Sequence, residues 1–128
     1  MLDALQHVDK GANEYPFRVV LTSFMTPSGI QVNLRARLDE SGLVIAGQDI
    51  GELVRKLFGD LDHEYWLTVG WGHVGQVEDL LRSELNEGLR PVLLELLTMA
   101  WGRGFFESDV DFREWLERHA IPFEFFSY

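Results

Sequence analysis

The stretch Ile30-Gln31-Val32-Asn33-Leu34-Arg35-Ala36-Arg37-Leu38-Asp39 decides the fold class. Apolar and polar residues alternate along it, and successive side chains of a β-strand point to opposite faces of a sheet. One face of this strand is therefore apolar and the other is wet. The pattern is typical of an antiparallel sheet that packs on a core through one face and meets solvent through the other.

Two further strands are predicted beside this one. Residues 17–25 are rich in β-branched and aromatic side chains, and residues 43–46 have the sequence Leu-Val-Ile-Ala, a composition that suits a pleated, half-buried surface. Turn residues separate the three segments, namely Pro-Ser-Gly at 27–29 and Asp-Glu-Ser-Gly at 39–42. The three segments are therefore expected to form an antiparallel meander.

Helical and strand patterns follow one another in the rest of the chain. Asp49 is a suitable N-cap for a short helix that ends before Gly59, and residues 64–69 form the next predicted strand. Apolar residues at helical spacing predict helices over 74–85, 89–101 and 108–119, and the aromatic residues of 123–128 predict a last strand. Pro91 falls in the first turn of the second of these helices, and Ser108 with Asp111 resembles a capping box.

This order of elements predicts an α+β protein: a five-stranded antiparallel or mixed sheet with three to four helices packed mainly on one face. The length of 128 residues is that of one domain. We therefore expect residues 1–128 to form a single acidic α+β domain. Residues 1–15 are polar and weakly patterned, and a short helix or a frayed end is expected there.

The charge is the one unusual feature of the composition. The chain has 21 acidic and 11 basic residues and a net charge of −10. Eleven acidic and three basic residues lie between Asp39 and Glu87, so this stretch alone contributes −8. A field of that sign repels phosphate backbones and anionic membranes and attracts basic proteins. We therefore expect a basic protein partner, no direct binding to nucleic acid and no membrane association. The alternative is that the excess of negative charge only keeps the protein soluble.

The cellular location is predicted from what the sequence lacks. The first residues have no basic start followed by an apolar stretch of signal-peptide length, and no apolar run approaches the about 20 residues that span a bilayer. A cytoplasmic protein is therefore expected.

No catalytic or metal-binding motif is recognisable. The chain has no cysteine, its serines lack a Gly-x-Ser-x-Gly context, and its glycine-rich turn at 70–75 matches no phosphate loop. His63 lies between two acidic residues, where a solvated loop is favoured over an acid–base pair. The histidines lack the spacing of a helical zinc site: His7, His63, His73 and His119. We predict no enzymatic activity, no metal and no cofactor.

Trp71 is the candidate anchor for a partner. It is flanked by glycines and expected in a loop, and tryptophan is enriched at the energetic centres of protein interfaces. The alternative is that its ring folds back onto the core. Together with nearby carboxylates, it completes the set of predicted partner-binding residues: Asp49, Glu52, Asp60, Asp62, Glu64 and Trp71.

Three segments resemble a group of small bacterial proteins. The residues are Gly-Leu-Val-Ile-Ala-Gly-Gln-Asp-Ile-Gly at 42–51, Asp-His-Glu-Tyr-Trp-Leu-Thr-Val at 62–69 and Ile-Pro-Phe-Glu-Phe-Phe-Ser-Tyr at 121–128. The group shares a Leu-Val-Ile-x-Gly-Gln-Asp-Leu/Ile-Gly block, a Glu-Tyr-Trp strand and a Pro-Tyr/Phe-Glu-Phe C-terminus. Its members have no established activity, so the resemblance implies none.

These observations favour a small acidic binding protein. The leading hypothesis is an immunity or inhibitor protein that occupies the active-site cleft of a basic toxin or enzyme, where its carboxylates take the place of an anionic substrate. The alternative is a regulatory or scaffold subunit of a larger bacterial complex, including a homodimer through a sheet edge or through the Leu-rich helix. An enzyme is the least favoured reading.

Overall fold

A computed structural model describes residues 18–59 and 62–127. These residues form five strands and four helices in the predicted order. The elements are β1 (Arg18–Met25), β2 (Gln31–Asp39), β3 (Gly42–Ile50), α1 (Glu52–Phe58), β4 (Asp62–Gly70), α2 (Trp71–Glu84), α3 (Leu93–Gly102), α4 (Asp109–Arg118) and β5 (Glu124–Ser127). The expectation for residues 1–15 lies outside the described residues.

The sheet is antiparallel throughout, and its strands lie side by side in chain order from β1 to β5. The predicted α+β fold class is confirmed. The sequence left open an antiparallel or a mixed sheet, and the structure has the antiparallel one. A bulge interrupts the pairing of β1 with β2 between Val20 and Thr22, and Leu21 at the bulge is buried. Neighbouring strands otherwise stay in register, so each residue's face follows from the alternation along its strand.

The core lies against one face of the sheet, which we call the core face. It carries Leu34 and Ala36 of β2, and the register places Ile45 of β3 and Leu67 of β4 in line with Ala36. These side chains pack with apolar residues of α2, α3 and α4 in one cluster. The helical members of the cluster with no exposed surface include Val77, Leu81, Leu96, Leu97, Phe112 and Leu116. The predicted placement of the helices mainly on one face is therefore confirmed.

The opposite side of the sheet, which we call the outer face, carries the other half of the alternation. Two rows of its residues cross all five strands, and both lie outside the core cluster. One row is Arg18, Arg37, Val44, Thr68 and Glu124, and the other is Val20, Arg35, Ala46, Trp66 and Phe126. The short helix α1 contacts β4, and its buried Val54 is not part of the main core cluster.

Asp49 does not cap a helix, contrary to the sequence prediction. Strand β3 continues to Ile50, because Asp49 pairs with Val32 of β2 on one side and with His63 of β4 on the other. Backbone pairing with β2 and with β4 extends β3 beyond residues 43–46, the apolar run from which the strand was predicted. Helix α1 begins at Glu52 after Gly51 instead.

The second Leu-rich helix begins later than predicted. The pattern indicated a start at Leu89 with Pro91 in the first turn, whereas α3 starts at Leu93. The guanidinium of Arg82 donates hydrogen bonds to the carbonyl oxygens of Gly88 and Pro91 at 2.6 and 2.8 Å. These contacts hold the segment before α3 as a loop. Pro91 acts in the same direction, because a proline disfavours helical geometry in the residue before it.

The cap of the last helix was predicted correctly. Ser108 is the N-cap of α4, and its hydroxyl accepts a hydrogen bond from the backbone N–H of Asp111 at 3.2 Å. The carboxylate of Asp111 in turn accepts from the backbone N–H of Glu107 at 2.8 Å. The first contact satisfies one of the donors that a helix N-terminus leaves without intrahelical partners, and the second ties the residue before the N-cap to the first turn.

Candidate protein-interaction surface

Charges on the outer face are sorted by strand. The arginines lie on β1 and β2, where Asp39 at the end of β2 pairs with Arg37. The acidic residues Asp62, Glu64 and Glu124 lie on β4 and β5, and β3 contributes Val44, Ala46 and Gln48 between the two groups. We call Arg18, Arg35 and Arg37 the basic strip. The alternation that buries Leu34 and Ala36 on the core face is what places Arg35 and Arg37 on the outer face.

The acidic-aromatic strip occupies the other side of this face. It consists of Asp62, Glu64 and Trp66 of β4 with Glu124 and Phe126 of β5. The rings of Trp66 and Phe126 stack with centroids 5.8 Å apart and an interplanar angle of 29°, and the Phe126 side chain is 60% exposed. The strip thus combines carboxylates with an aromatic pair that retains accessible apolar surface, and aromatic side chains are enriched at protein interfaces.

A glutamine on β3 orients the carboxylates of the strip. The amide nitrogen of Gln48 donates to Asp62 Oδ2 at 3.1 Å and to Glu64 Oε2 at 3.4 Å. Asp62 and Glu64 are two residues apart on one strand, so both lie on the same face. The amide bridge therefore holds the two carboxylates side by side.

The predicted partner-binding residues do not all meet. Asp62 and Glu64 lie together on the outer face, whereas Asp49 is on the core face and Glu52 on α1 is paired with Arg55. Asp60 lies outside the described residues. The acidic stretch therefore does not form one continuous surface.

Trp71 is the first residue of α2 and not part of a loop, contrary to the sequence prediction. Gly70 ends β4 and serves as the N-cap with an extended backbone, so the helix begins at once. The indole N–H of Trp71 donates to the carbonyl oxygen of Asp39 at 2.9 Å, and the side chain remains 53% exposed. Trp71 follows the last residue of β4, so about 25–30 Å of strand separates it from Asp62 at the first.

Most other carboxylates of the acidic stretch have partners. Burial acts to raise the pKa of Asp39, but the Ser41 backbone N–H and the Arg37 guanidinium outweigh it and lower that pKa. Glu84 accepts a hydrogen bond from the Trp115 indole and faces His119. The ion pairs that involve this stretch are Arg37–Asp39, Arg55–Glu52, Arg82–Glu78 and Arg103–Glu87.

Asp49 is partly buried beside Tyr65, whose hydroxyl donates to its carboxylate at 3.2 Å. Burial raises the pKa of Asp49, and the hydrogen bond from Tyr65 and the nearby His63 only partly oppose that shift. Burial and the negative charge of Asp49 raise the pKa of the Tyr65 hydroxyl in turn. The ring of Tyr65 lies over Gly47, where an added Cβ would come within 2.1 Å of it. The contacts among Asp49, Tyr65 and Gly47 are therefore explained by packing at this end of the sheet.

Asp49→Asn is expected to raise the melting temperature near neutral pH. A carboxyl group with a raised pKa stabilises the fold in its protonated form, and that contribution is lost as the pH rises through the folded-state pKa. Asparagine keeps an acceptor for the Tyr65 hydroxyl and carries no charge. Thermal unfolding should therefore favour the variant at about pH 7, and the difference should vanish at about pH 3, below the ordinary value of 3.8.

Asp79→Asn supplies the control for that measurement. Asp79 is exposed on α2 and its substitution changes the net charge by the same amount. Its melting temperature should stay close to that of the unchanged protein. If the melting temperature of Asp49→Asn near pH 7 is equal to or below that of the unchanged protein, the raised pKa assigned to Asp49 is contradicted.

The histidines do not assemble into a metal centre within residues 18–59 and 62–127, since no three His, Asp or Glu side chains there are placed to hold an ion. His63 lies on the core face beside Tyr65, with ring centroids 5.7 Å apart. His119 caps the C-terminus of α4 and contacts Glu84 at 3.1 Å. His7 lies outside the described residues.

Sequence reasoning missed Glu124, Phe126 and the arginines as parts of one surface. The alternation of Glu124 and Phe126 with Phe125 was visible, but their position beside β4 depends on strand order. Arg35 was recognised as facing solvent, and nothing in the sequence placed it opposite a line of carboxylates.

No family profile, curated protein or solved structure matches the chain. In the described part of the chain, no helix is both long and apolar enough to cross a membrane.

Proposed function

We propose that this protein binds a positively charged protein through the acidic-aromatic strip and acts as its inhibitor or immunity protein. The carrying observation is the arrangement of Asp62, Glu64 and Glu124 around the stacked rings of Trp66 and Phe126. Carboxylates attract and orient a basic partner, and exposed aromatic surface supplies apolar contact once the partner is seated. The net charge of −10 adds a long-range attraction for such a partner.

The distribution of the other acidic residues supports this location. Ion pairs with arginine occupy several carboxylates elsewhere, so those groups offer less charge to a partner. The amide of Gln48 holds the carboxylates of Asp62 and Glu64 next to each other. An inhibitor that presents these groups to a cleft lined by lysine and arginine would occupy the position of an anionic substrate.

Reversing the charge of the acidic-aromatic strip is expected to weaken partner binding by at least about tenfold, since like charges across an interface cost several kcal/mol. The variant Glu64→Arg/Glu124→Arg and the unchanged protein would serve as baits with cell extract. The control Asp79→Arg/Glu114→Arg makes the same charge change at exposed positions on α2 and α4. A protein retained by the unchanged bait and by the control, and lost with the strip variant, would then be purified for calorimetry.

The captured protein should be basic, and its association rate should fall as salt is added. Equal affinity for the strip variant and for the control variant would contradict the proposal. An association rate that does not respond to salt would also contradict it.

A further inference from the structure

Strand β1 is the first strand of the sheet. Within residues 18–59 and 62–127, no strand pairs with it on the side away from β2, which we call the β1 edge. Three of its apolar side chains keep much of their surface accessible, with Val20 58%, Phe24 45% and Met25 60% exposed. Proteins protect such edges with lysine, proline or other charged side chains, and residues 19–25 have none of these. The composition of the β1 edge is therefore that of a strand that accepts a further strand.

The bulge in β1 decides which strand fits this edge. It places two consecutive residues, Leu21 and Thr22, on the core face, because Leu21 belongs to the core cluster and Thr22 pairs with Leu34. The core-face residues are Val19, Leu21, Thr22 and Phe24, and the outer-face residues are Arg18, Val20, Ser23 and Met25. The order of faces along the strand consequently reads the same in both directions.

We propose that the β1 edge pairs with the β1 edge of a second copy of the chain, in antiparallel orientation. The two copies are related by a two-fold axis that is perpendicular to the sheet and passes between Leu21 and Thr22. Such an axis keeps the core faces of both copies on one side. The opposed residues are Arg18 with Met25, Val19 with Phe24, Val20 with Ser23 and Leu21 with Thr22, each pair occurring twice. All eight residues of β1 then meet a residue of the same face.

The same bulge argues for a second copy and against an extended segment of another protein. Side chains of a regular strand alternate strictly between the two faces. A regular strand whose faces match residues 18–20 would therefore be out of phase with residues 23–25, beyond the bulge. A second β1 carries the same irregularity at the same place, so it stays in phase along the whole strand.

The charges near the edge also permit self-association. Arg18 is the only charged residue of β1, and the pairing places it opposite Met25. The two arginines of a dimer are therefore about 23 Å apart, at opposite ends of the paired strands. Each whole chain carries a net charge of −10, so two copies repel each other at long range. Added salt screens that repulsion and should strengthen the dimer, whereas it should weaken binding to a basic partner.

The length of the edge fits a reversible dimer. Eight paired residues extend over about 26 Å, and main-chain hydrogen bonds along such an edge are a known source of affinity between chains. The two five-stranded sheets would join into one sheet of ten strands. Because only one strand of each copy takes part, the contact is at the lower end of specific interfaces and should form at high protein concentration.

Light scattering of the unchanged protein tests the dimer. Between about 10 μM and about 1 mM, the mass should rise from that of one chain towards that of two, and more so at higher salt. Val20→Lys introduces a charge at an exposed position of the edge and should raise the dissociation constant at least about tenfold. The control Val110→Lys makes the same change at an exposed position of α4 and should dimerise like the unchanged protein. Circular dichroism checks that both variants are folded.

Cross-linking tests the register. The chain has no cysteine, so introduced thiols are the only ones present. In Val20→Cys/Ser23→Cys, each thiol is opposite a thiol of the second copy, at the about 5 Å between opposed Cβ atoms that a disulfide can bridge. Oxidised glutathione takes up the electrons and protons of each thiol pair and should yield a covalent dimer. In Val20→Cys alone the two thiols are about 10 Å apart, so that variant should stay largely uncross-linked.

Three results would overturn the inference: unchanged protein that keeps the mass of one chain at about 1 mM, Val20→Lys that dimerises as readily as Val110→Lys, or single- and double-cysteine variants that cross-link equally. Failure here is distinguishable from failure of the proposed function. Val20→Lys leaves the carboxylates of the acidic-aromatic strip in place and should still bind the basic partner.

Discussion

Phe112→Ala is expected to lower the free energy of unfolding by about 3–5 kcal/mol. Phe112 has no exposed surface, and its ring lies 5.2 Å from that of Phe106, 5.8 Å from Trp115 and 5.9 Å from Trp101, measured between centroids. Truncation leaves a cavity that these rigid rings cannot fill. The loss is a large share of the 5–15 kcal/mol that stabilises a typical domain.

Phe105→Ala is the matched control for this prediction. Phe105 contacts the same cluster through Phe106, at 4.8 Å between ring centroids, but its side chain is 39% exposed. Its truncation should cost about 1–2 kcal/mol, because less apolar area returns to water and the gap opens to solvent. Urea unfolding of both variants measures the difference. Equal losses would show that the aromatic cluster is not the centre of the core.

Gly42→Ala is expected to cost about 2–3 kcal/mol or more. Gly42 begins β3 with φ at +126°, a conformation that residues with a side chain rarely adopt. An added Cβ would also lie 2.2 Å from the carbonyl oxygen of Val69 in β4. That neighbour is backbone in a paired strand, so the clash can be relieved only by moving the ladder between β3 and β4.

Gly75→Ala makes the same chemical change in a permissive place. Gly75 lies within α2, and its added Cβ would have no heavy atom within 4 Å. Alanine within a helix is favoured over glycine by about 0.5–1 kcal/mol, so this variant should be more stable than the unchanged protein. Opposite signs for the two variants in thermal unfolding are the expected outcome. A neutral Gly42→Ala would contradict the described pairing of β3 with β4.

The strands could be predicted well because their signal is local. Alternation along residues 30–39 identified β2 and assigned Arg35 and Arg37 to the solvent side, as the sheet register confirms. The helix starts were predicted less well, since they depend on tertiary contacts. Arg82 holds the loop before α3 through two backbone carbonyls, and no sequence pattern around Leu89 announces that contact.

Part of the charge pattern was also readable in advance. Glu52 with Arg55, Glu78 with Arg82 and Asp109 with Arg113 stand three or four residues apart on helices, the spacing at which opposite charges pair. Counting charge along 39–87 ignored these partners. It also merged acidic residues that alternation sends to opposite faces of the sheet, such as Asp49 on the core face and Asp62 on the outer face. The acidic-aromatic strip depends on β5 lying beside β4, which strand order alone decides.

The indole N–H signals of a ¹H–¹⁵N NMR spectrum test the central claim that the outer face is the interaction surface. The chain has four tryptophans: Trp66 is on the outer face, Trp71 at the start of α2, and Trp101 and Trp115 in the core. When the captured basic partner is added to dilute protein, the signal of Trp66 should shift or broaden while those of Trp101 and Trp115 stay in place. An unmoved Trp66 signal, with the partner demonstrably bound, would contradict the account.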